Sequence, residues 1–163
     1  LTLLFGEWQD ALFLGVVVAN STIGIVQEIR AKRALDALTA LAAVILFDQF
    51  PRNMFRGHAE QFATDTLALG IAHAAVDAKL DDQLARQERG FLYMPFQHSE
   101  DLANQRRSLA LFTALGDDYL LGYAKKHHAV IERFGRFPHR NPLFGRASTP
   151  AEQAWLEEGG FGS

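Results

Sequence analysis

Two consecutive stretches constrain the fold more than any others. DLANQRRSLALFTALG (101–116) places Leu102, Leu109, Phe112 and Leu115 at helical spacing and stops at Gly116. DYLLGYAKKHHAVIERFG (118–135) repeats the design with Leu121, Ala124, Ile131 and Phe134, and Gly135 closes it. Two helices joined by so little chain must fold back on each other. The same period recurs upstream. FATDTLALGIAHAAVDAKL (62–80) puts Leu67, Ile71, Ala74 and Ala75 on one stripe, and LARQERGFLYMPFQHS (84–99) carries Phe91, Leu92 and Pro95 toward its end. STPAEQAWLEE (148–158) opens with Thr149 as cap, Pro150 at the first helical position and Glu152 closing a capping box. No sustained alternation supports a sheet. The expected fold class is all-α, built from antiparallel helix pairs.

Composition narrows the function. The chain has 163 residues, 48% of them apolar, which suits one ordinary core. A net charge of −3 gives no field to draw in nucleic acid, so no nucleic-acid partner is expected. With no cysteine there is no disulfide, thiolate metal site or cysteine nucleophile, which fits a reducing compartment. The six histidines include no HEXXH pattern and no i, i+4 pair, and no glycine-rich loop precedes a helix. No metal and no cofactor are expected.

The N-terminal part differs from the rest. The apolar run Ala11–Val26 is about 16 residues long, short of the roughly 20 that span a bilayer, and Asn20, Ser21 and Thr22 sit inside it. Glu7 and Asp10 block its extension, while Arg30, Lys32 and Arg33 follow it as the cytoplasmic flank of a membrane helix would. No basic segment precedes it, so a secretory signal is not expected. A buried, a surface and a membrane helix all remain open. Gly15 and Gly24 weaken the segment but no proline breaks it, so one near-continuous helix is expected from Asp10 to about Leu41. Leu12, Val16, Ile23 and Val26 would pack if this helix belongs to a core and would be exposed if it belongs to a membrane.

The chemistry concentrates in two related stretches, FDQFPRNMFRG (47–57) and FGRFPHRNPLFGR (134–146). Pro51 is expected to end the helix containing LFDQ and to push Phe50 away from helical backbone. Asp48 near that end calls for a cation, and Arg52, Arg56 and Arg140 are the candidates. One reading makes this an arginine–carboxylate clasp that fixes a buried corner. The other brings Arg52, Asn53, Arg56, Arg136, Arg140 and Asn141 to one cleft, where guanidinium forks recognise phosphate or carboxylate. YMPFQHSED (93–101) adds His98, which is expected to join that cleft. Ser99 is expected as the N-cap of the next helix. His98, Glu100 and His139 are the catalytic candidates, as an acid–base set. His127 and His128 are expected on a solvated face, and His73 is expected to be packed.

Two resemblances rest on quoted motifs. GEWQDALFLGVVVANSTIGIVQEIRAKRALDALTALAA (6–43) resembles the second transmembrane helix and its extension in cation-transporting P-type ATPases, through AN at 19–20, IG at 23–24, QE at 27–28, RA at 30–31 and ALDAL at 34–38. It covers about a quarter of the chain. DKTG and TGE motifs and further membrane helices are missing, so ion pumping is excluded. LFDQFPRNMFRG, FATDTLAL, FLYMPFQHSEDLANQRRSLALF and FGRFPHRNPLFGRASTPAE together resemble the bacterial domain-of-unknown-function family 924, from about Ala42 to Leu156. That resemblance implies a tetratricopeptide-like helical array and no particular activity. Members of the family carry their own helical region ahead of DQFPRN, so the chain reads as a fusion joined near LTALAAVIL, with a helix over 1–41 and a helical domain over 42–163. The expected function is a binding or scaffold domain taking a small anion or a peptide at the arginine corners. The alternatives are an acid–base hydrolase using His98, Glu100 and His139, and a helical domain tethered to a membrane through residues 11–28. A cytoplasmic location is expected, with the domain facing the cytoplasm if the chain is anchored.

Overall fold

The computed structural model describes residues 2–161, and among these the chain is all-α with no strand. The helices are α1 (Thr2–Val44), α2 (Phe50–Met54), α3 (Asp65–Asp77), α4 (Arg86–His98), α5 (Leu102–Leu115), α6 (Asp118–Phe134) and α7 (Pro150–Glu157). A π-helical turn, Ile45–Gln49, joins α1 to α2. The chain divides into two compact units, residues 1–36 and 37–163.

The first unit is one helical segment. Leu12, Val16, Ile23 and Val26 are 67%, 57%, 54% and 41% exposed, and Phe13, Leu14, Val17 and Val18 on other faces are exposed as well. By length and composition it is apolar enough to cross a membrane. Thr22, inside the run, donates its hydroxyl to the Val18 carbonyl at 2.8 Å, so that polar group has a partner within the helix.

The second unit holds the core. Ala37, Leu41 and Val44, spaced for one face of the last turns of α1, are buried with Ala72, Ala75, Leu84, Leu92, Tyr93, Phe96, Phe112 and Ala124. The central element is α4, which packs against α3, α5, α6 and the π turn. Gly116 and Gly135 close α5 and α6 with φ of 70° and 68°, a left-handed conformation that favours glycine. The Thr149–Glu152 capping box forms at the start of α7.

Local expectation fails at three places. On α3 the buried face is Ala68, Ala72 and Ala75, while Leu67 is 50% exposed and Ala74 is also exposed. Alanine leaves no bulk to hold neighbouring helices apart, so the helix presents its small residues rather than its larger ones. At α5 the N-cap is Asp101, whose carboxylate accepts from the Asn104 N–H at 2.9 Å. Ser99 instead follows α4, and its carbonyl and that of Gln97 each accept from buried Gln105 Nε2 at 2.7 Å.

The third correction is at Pro51, which does not end a helix. Phe50 is helical, with φ −61° and ψ −49°, and Pro51 lies in the first turn of α2 directly after the π turn. Proline cannot donate to the carbonyl four residues earlier, here Phe47. The Thr64 hydroxyl donates to that carbonyl instead. The wider turn and this substitute donor together accommodate the ring. Thr64→Val should therefore cost about 1–3 kcal/mol in urea unfolding, the range for an orphaned buried acceptor. In a Pro51→Ala background, where the backbone donor returns, the same substitution should cost clearly less.

Candidate functional site

The site lies wholly within the second unit and begins at a desolvated charge. Asp48, in the π turn, is 0% exposed. Arg52, one helical turn on, brings Nη2 to 3.0 Å from Asp48 Oδ1, and Gln49 Nε2 donates to Oδ2. His98, the last residue of α4, brings Nδ1 to 2.8 Å from the same Oδ1. Arg52 Nη2 also lies 2.9 Å from Asp65 Oδ1 at the start of α3, and Arg140 Nη1 lies 3.6 Å from Asp65 Oδ2. Arg140 Nη2 donates to the His98 carbonyl at 2.9 Å. Its guanidinium sits 4.4 Å from the Phe62 ring centre and 4.5 Å from that of Phe137. An alternating chain results: His98, Asp48, Arg52, Asp65, Arg140. The FPRN and FPHRN corners meet through Asp65.

Electrostatics follow from burial. Desolvation alone would raise the Asp48 pKa, but His98, then Arg52 and Gln49, outweigh it and hold the carboxyl below its usual range. At Asp65 desolvation wins over Arg52 and Arg140, and the pKa is raised. Burial lowers the His98 pKa against the pull of Asp48, with Arg52 and Arg140 adding to the depression. The pair is thus an ionised carboxylate beside a neutral imidazole; Arg52 Nε also points at His98 Nδ1 from 3.4 Å, but the Asp48 oxygen at 2.8 Å is the closer partner and sets the hydrogen on Nδ1.

Two adjoining cavities share Phe62, His98 and Arg140 in their linings. One of about 220 Å³ is also lined by Asp48, Asp65 and Glu100. The other, of about 340 Å³, is lined by Arg52, Arg56, Arg140, His98, His127 and His139, with no carboxylate in its lining.

Not every residue singled out from sequence joins this cleft. Asn53 is exposed and donates to the Gln49 carbonyl at 2.9 Å, and its Oδ1 accepts from Arg56 at 3.3 Å. Asn141 is buried elsewhere, with Nδ2 3.0 Å from Ser148 Oγ and 3.4 Å from Glu152 Oε2. Arg136 meets Glu152 through two hydrogen bonds of 2.7 and 2.9 Å, which hold that carboxyl down to about 2. Glu100 does not pair with His98. It takes two hydrogen bonds from Arg146 at 2.7 and 2.9 Å and one from the Phe137 N–H at 2.8 Å. His139 is exposed and lines the cationic cavity. His73 is packed as expected, against Phe96, with Asn104 and Arg107 on its two ring nitrogens at 2.8 Å each.

Sequence reading missed Phe62, Asp65 and His127. Phe62 and Asp65 lie in FATDTLAL, where helical period drew attention away from the first-turn acid. His127 is not on a solvated face: its ring is 4.5 Å from that of Phe161 and 5.6 Å from that of Phe137, and burial pushes its pKa down to about 4. Among the described residues no group of three His, Cys, Asp or Glu is arranged to hold a metal ion.

A helical domain organised around a buried chain of ion pairs is the class of protein these features define. A family model described as "Bacterial protein of unknown function (DUF924)" matches residues 13–160, and the chain belongs to that family. It is also similar to a solved structure, the protein of unknown function ATU0120 from Agrobacterium tumefaciens. Identity is 41% and the TM-score 0.74, over 86% of this chain and 79% of that one. No curated protein matches the chain. The comparisons give no support to the resemblance between residues 6–43 and ion pumps. The family match begins at residue 13, so it takes in much of the N-terminal stretch ahead of residue 42.

The neutral histidines set an acid limit on stability. His98 and His127 both have folded pKa values below the unfolded one, about 6.5, and that of His127 falls to about 4. Between those values the unfolded chain binds more protons than the folded one, so stability falls as the pH falls. Unfolding free energy from urea titrations should therefore decline from pH 7 toward pH 4.5. His127→Gln should flatten the slope by up to about 1.4 kcal/mol per pH unit, one proton's worth. Asp65, whose pKa is raised, acts in the opposite sense at lower pH.

Proposed function

We propose that the second unit is a binding domain for a small anionic ligand, whose phosphate or carboxylate sits in the cationic cavity beside the two arginine corners. The observation that carries this reading is the lining itself, three arginines and three histidines with no carboxylate. Asp48 and Asp65 offset two of those cations, Arg52 and Arg140, and leave Arg56 and the histidine rings as additional donors. Arg140 Nε is buried with no hydrogen-bond partner among the described residues. Buried donors are rarely left so. The Arg140 pKa is depressed to about 10, first by burial and then by Arg52, which marks a place where another negative charge would be welcome. A volume of about 340 Å³ fits a small molecule, at the low end of ordinary ligand sites.

Phosphate should raise the melting temperature relative to sodium chloride at matched ionic strength. At ten times the dissociation constant the stabilisation would be about 1.4 kcal/mol. Arg56→Ala combined with His139→Ala, both exposed positions, should reduce the shift without lowering the melting temperature in the absence of phosphate. Equal shifts in parent and variant would leave the corners as clasps alone.

The first unit supports a second reading that is compatible with this one. We infer that residues 11–28 insert into a lipid bilayer, with Arg30, Lys32 and Arg33 at the cytoplasmic edge. Support comes from the exposure of its apolar side chains on every face, since a one-sided stripe would instead fit a protein neighbour. The expressed chain should then sediment with membranes and resist alkaline extraction. Val17→Lys with Ile25→Lys, at about 3 kcal/mol each in a membrane interior, should release it.

A further inference from the structure

The contact that joins the π turn to the end of α4 also holds His98 in one tautomer. Asp48 fixes it here. Its carboxylate lies 2.8 Å from His98 Nδ1 and is held ionised by Arg52 at 3.0 Å, so Nδ1 carries the hydrogen and Nε2 keeps its lone pair. The backbone beneath the ring is fixed too, because Arg140 holds the His98 carbonyl at 2.9 Å. Among the described residues Nε2 has no protein partner, and the residue lines both cavities. An oriented, neutral imidazole with a free Nε2 is the form that takes a proton from an attacking water. Arg56 and Arg140, whose side chains line the same cavity as His98, supply guanidinium donors for an oxyanion.

We propose that His98, positioned by Asp48, is the general base of an esterase acting on small carboxylic esters that carry a free carboxylate. The proposal rests on the anion-binding reading above, which supplies the pocket for the free carboxylate. A monoanion suits the local balance: Arg52, Arg56 and Arg140 stand against Asp48 and Asp65, which leaves one positive charge over. In the reaction a water oxygen adds to the ester carbonyl carbon while His98 Nε2 takes one of its protons. The carbonyl electron pair moves onto oxygen, where the guanidinium donors hold it. Collapse reforms the carbonyl and breaks the bond to the alcohol oxygen, which takes the proton back from the imidazolium. One ester and one water give one acid and one alcohol, and His98 returns to its neutral form. Glu100 and His139, the other acid–base candidates, have no part in these steps, since Glu100 is engaged by Arg146.

The test uses the purified full chain and the mono-4-nitrophenyl ester of succinic acid, with 4-nitrophenyl acetate as the neutral comparison. The parent should exceed an equal concentration of free imidazole, prefer the succinate ester, and be inhibited competitively by phosphate. His98→Gln should lose on the order of 10²–10⁴-fold in kcat. Asp48→Asn should lose kcat without a rise in KM, since it takes no cation from the pocket, a split that mere loosening of the fold would not give. Should either variant fail to fold, diethyl pyrocarbonate on the folded parent replaces it. Modification of His98, located by mass spectrometry, should abolish turnover, and phosphate should protect. Turnover no faster than imidazole, or turnover that survives loss or modification of His98, overturns the proposal. If phosphate still stabilises the chain in that event, the binding reading stands by itself. Turnover that depends on His98 but is indifferent to phosphate and to the succinate carboxylate overturns the assigned substrate class together with the binding reading.

Discussion

The Asp48 carboxylate is the constraint on which the second unit depends. A carboxylate at 0% exposure cannot keep its charge without close partners, because the cost of taking it out of water is several kcal/mol. Its partners come from separate parts of the chain: Gln49 and Arg52 from its own helical segment, and His98 from the end of α4. Meeting that demand pins the π turn to the C-terminus of the central helix. Arg52 then passes the constraint on to Asp65 and, through it, to Arg140 in a loop far along the chain. Such pairs add little net stability over well-packed apolar residues of the same volume, but breaking one leaves an uncompensated charge. They specify where the corners go rather than driving collapse, which is left to Leu92, Phe96, Phe112 and their neighbours.

The second corner carries its own clasps, and they explain why repetition in sequence does not become repetition in space. Glu152 and Glu100 each take two hydrogen bonds from an arginine, Arg136 and Arg146 respectively, and tie the loop to the starts of α7 and α5. Asn141 is drawn into the Glu152 clasp and buried, whereas Asn53 stays exposed on α2. Pro51 continues a helical path and Pro138 opens a short 3₁₀ turn. Of the shared Phe-Pro-Arg-Asn letters, only the arginines end in related positions. They do so because Asp65 lies between them.

What was legible in the sequence is what depends on near neighbours along the chain. Gly116 and Gly135 close helices, and Thr149 with Glu152 opens one, through contacts spanning a single turn. The long N-terminal helix follows in the same way from the lack of proline. The buried face of α3 was not legible, since helical period gives several candidate stripes and the neighbouring helices choose the one made of alanines. The fate of Pro51 depends on Thr64, and nothing near residue 51 announces that donor. The arginines, His98 and Asp48 were legible as chemistry, but the pairing of His98 with Asp48 rather than Glu100 was not. Glu100 stands with His98 among the acid–base candidates, and the fold hands that carboxylate to Arg146. His127 follows Lys125 and Lys126 in sequence, but its environment is set by Phe137 and Phe161 across the fold.

The clasp and the site are the same object viewed through different atoms. Asp48, Asp65 and Arg52 use their charged atoms on one another, and that mutual engagement makes a buried ionic chain tolerable. Some atoms of these groups are left over, among them Asp65 Oδ1, which has Arg52 at ion-pair distance but no aligned hydrogen bond. Arg140 Nε is a buried donor without an acceptor, and His98 Nε2 is a lone pair that the Asp48 hydrogen bond holds available. A buried donor such as Arg140 Nε costs about 1–3 kcal/mol while it has no acceptor. Arg140 and His98 border the cavity whose lining has no carboxylate. The ion pairs hold the guanidinium and the imidazole still at the edge of that cavity.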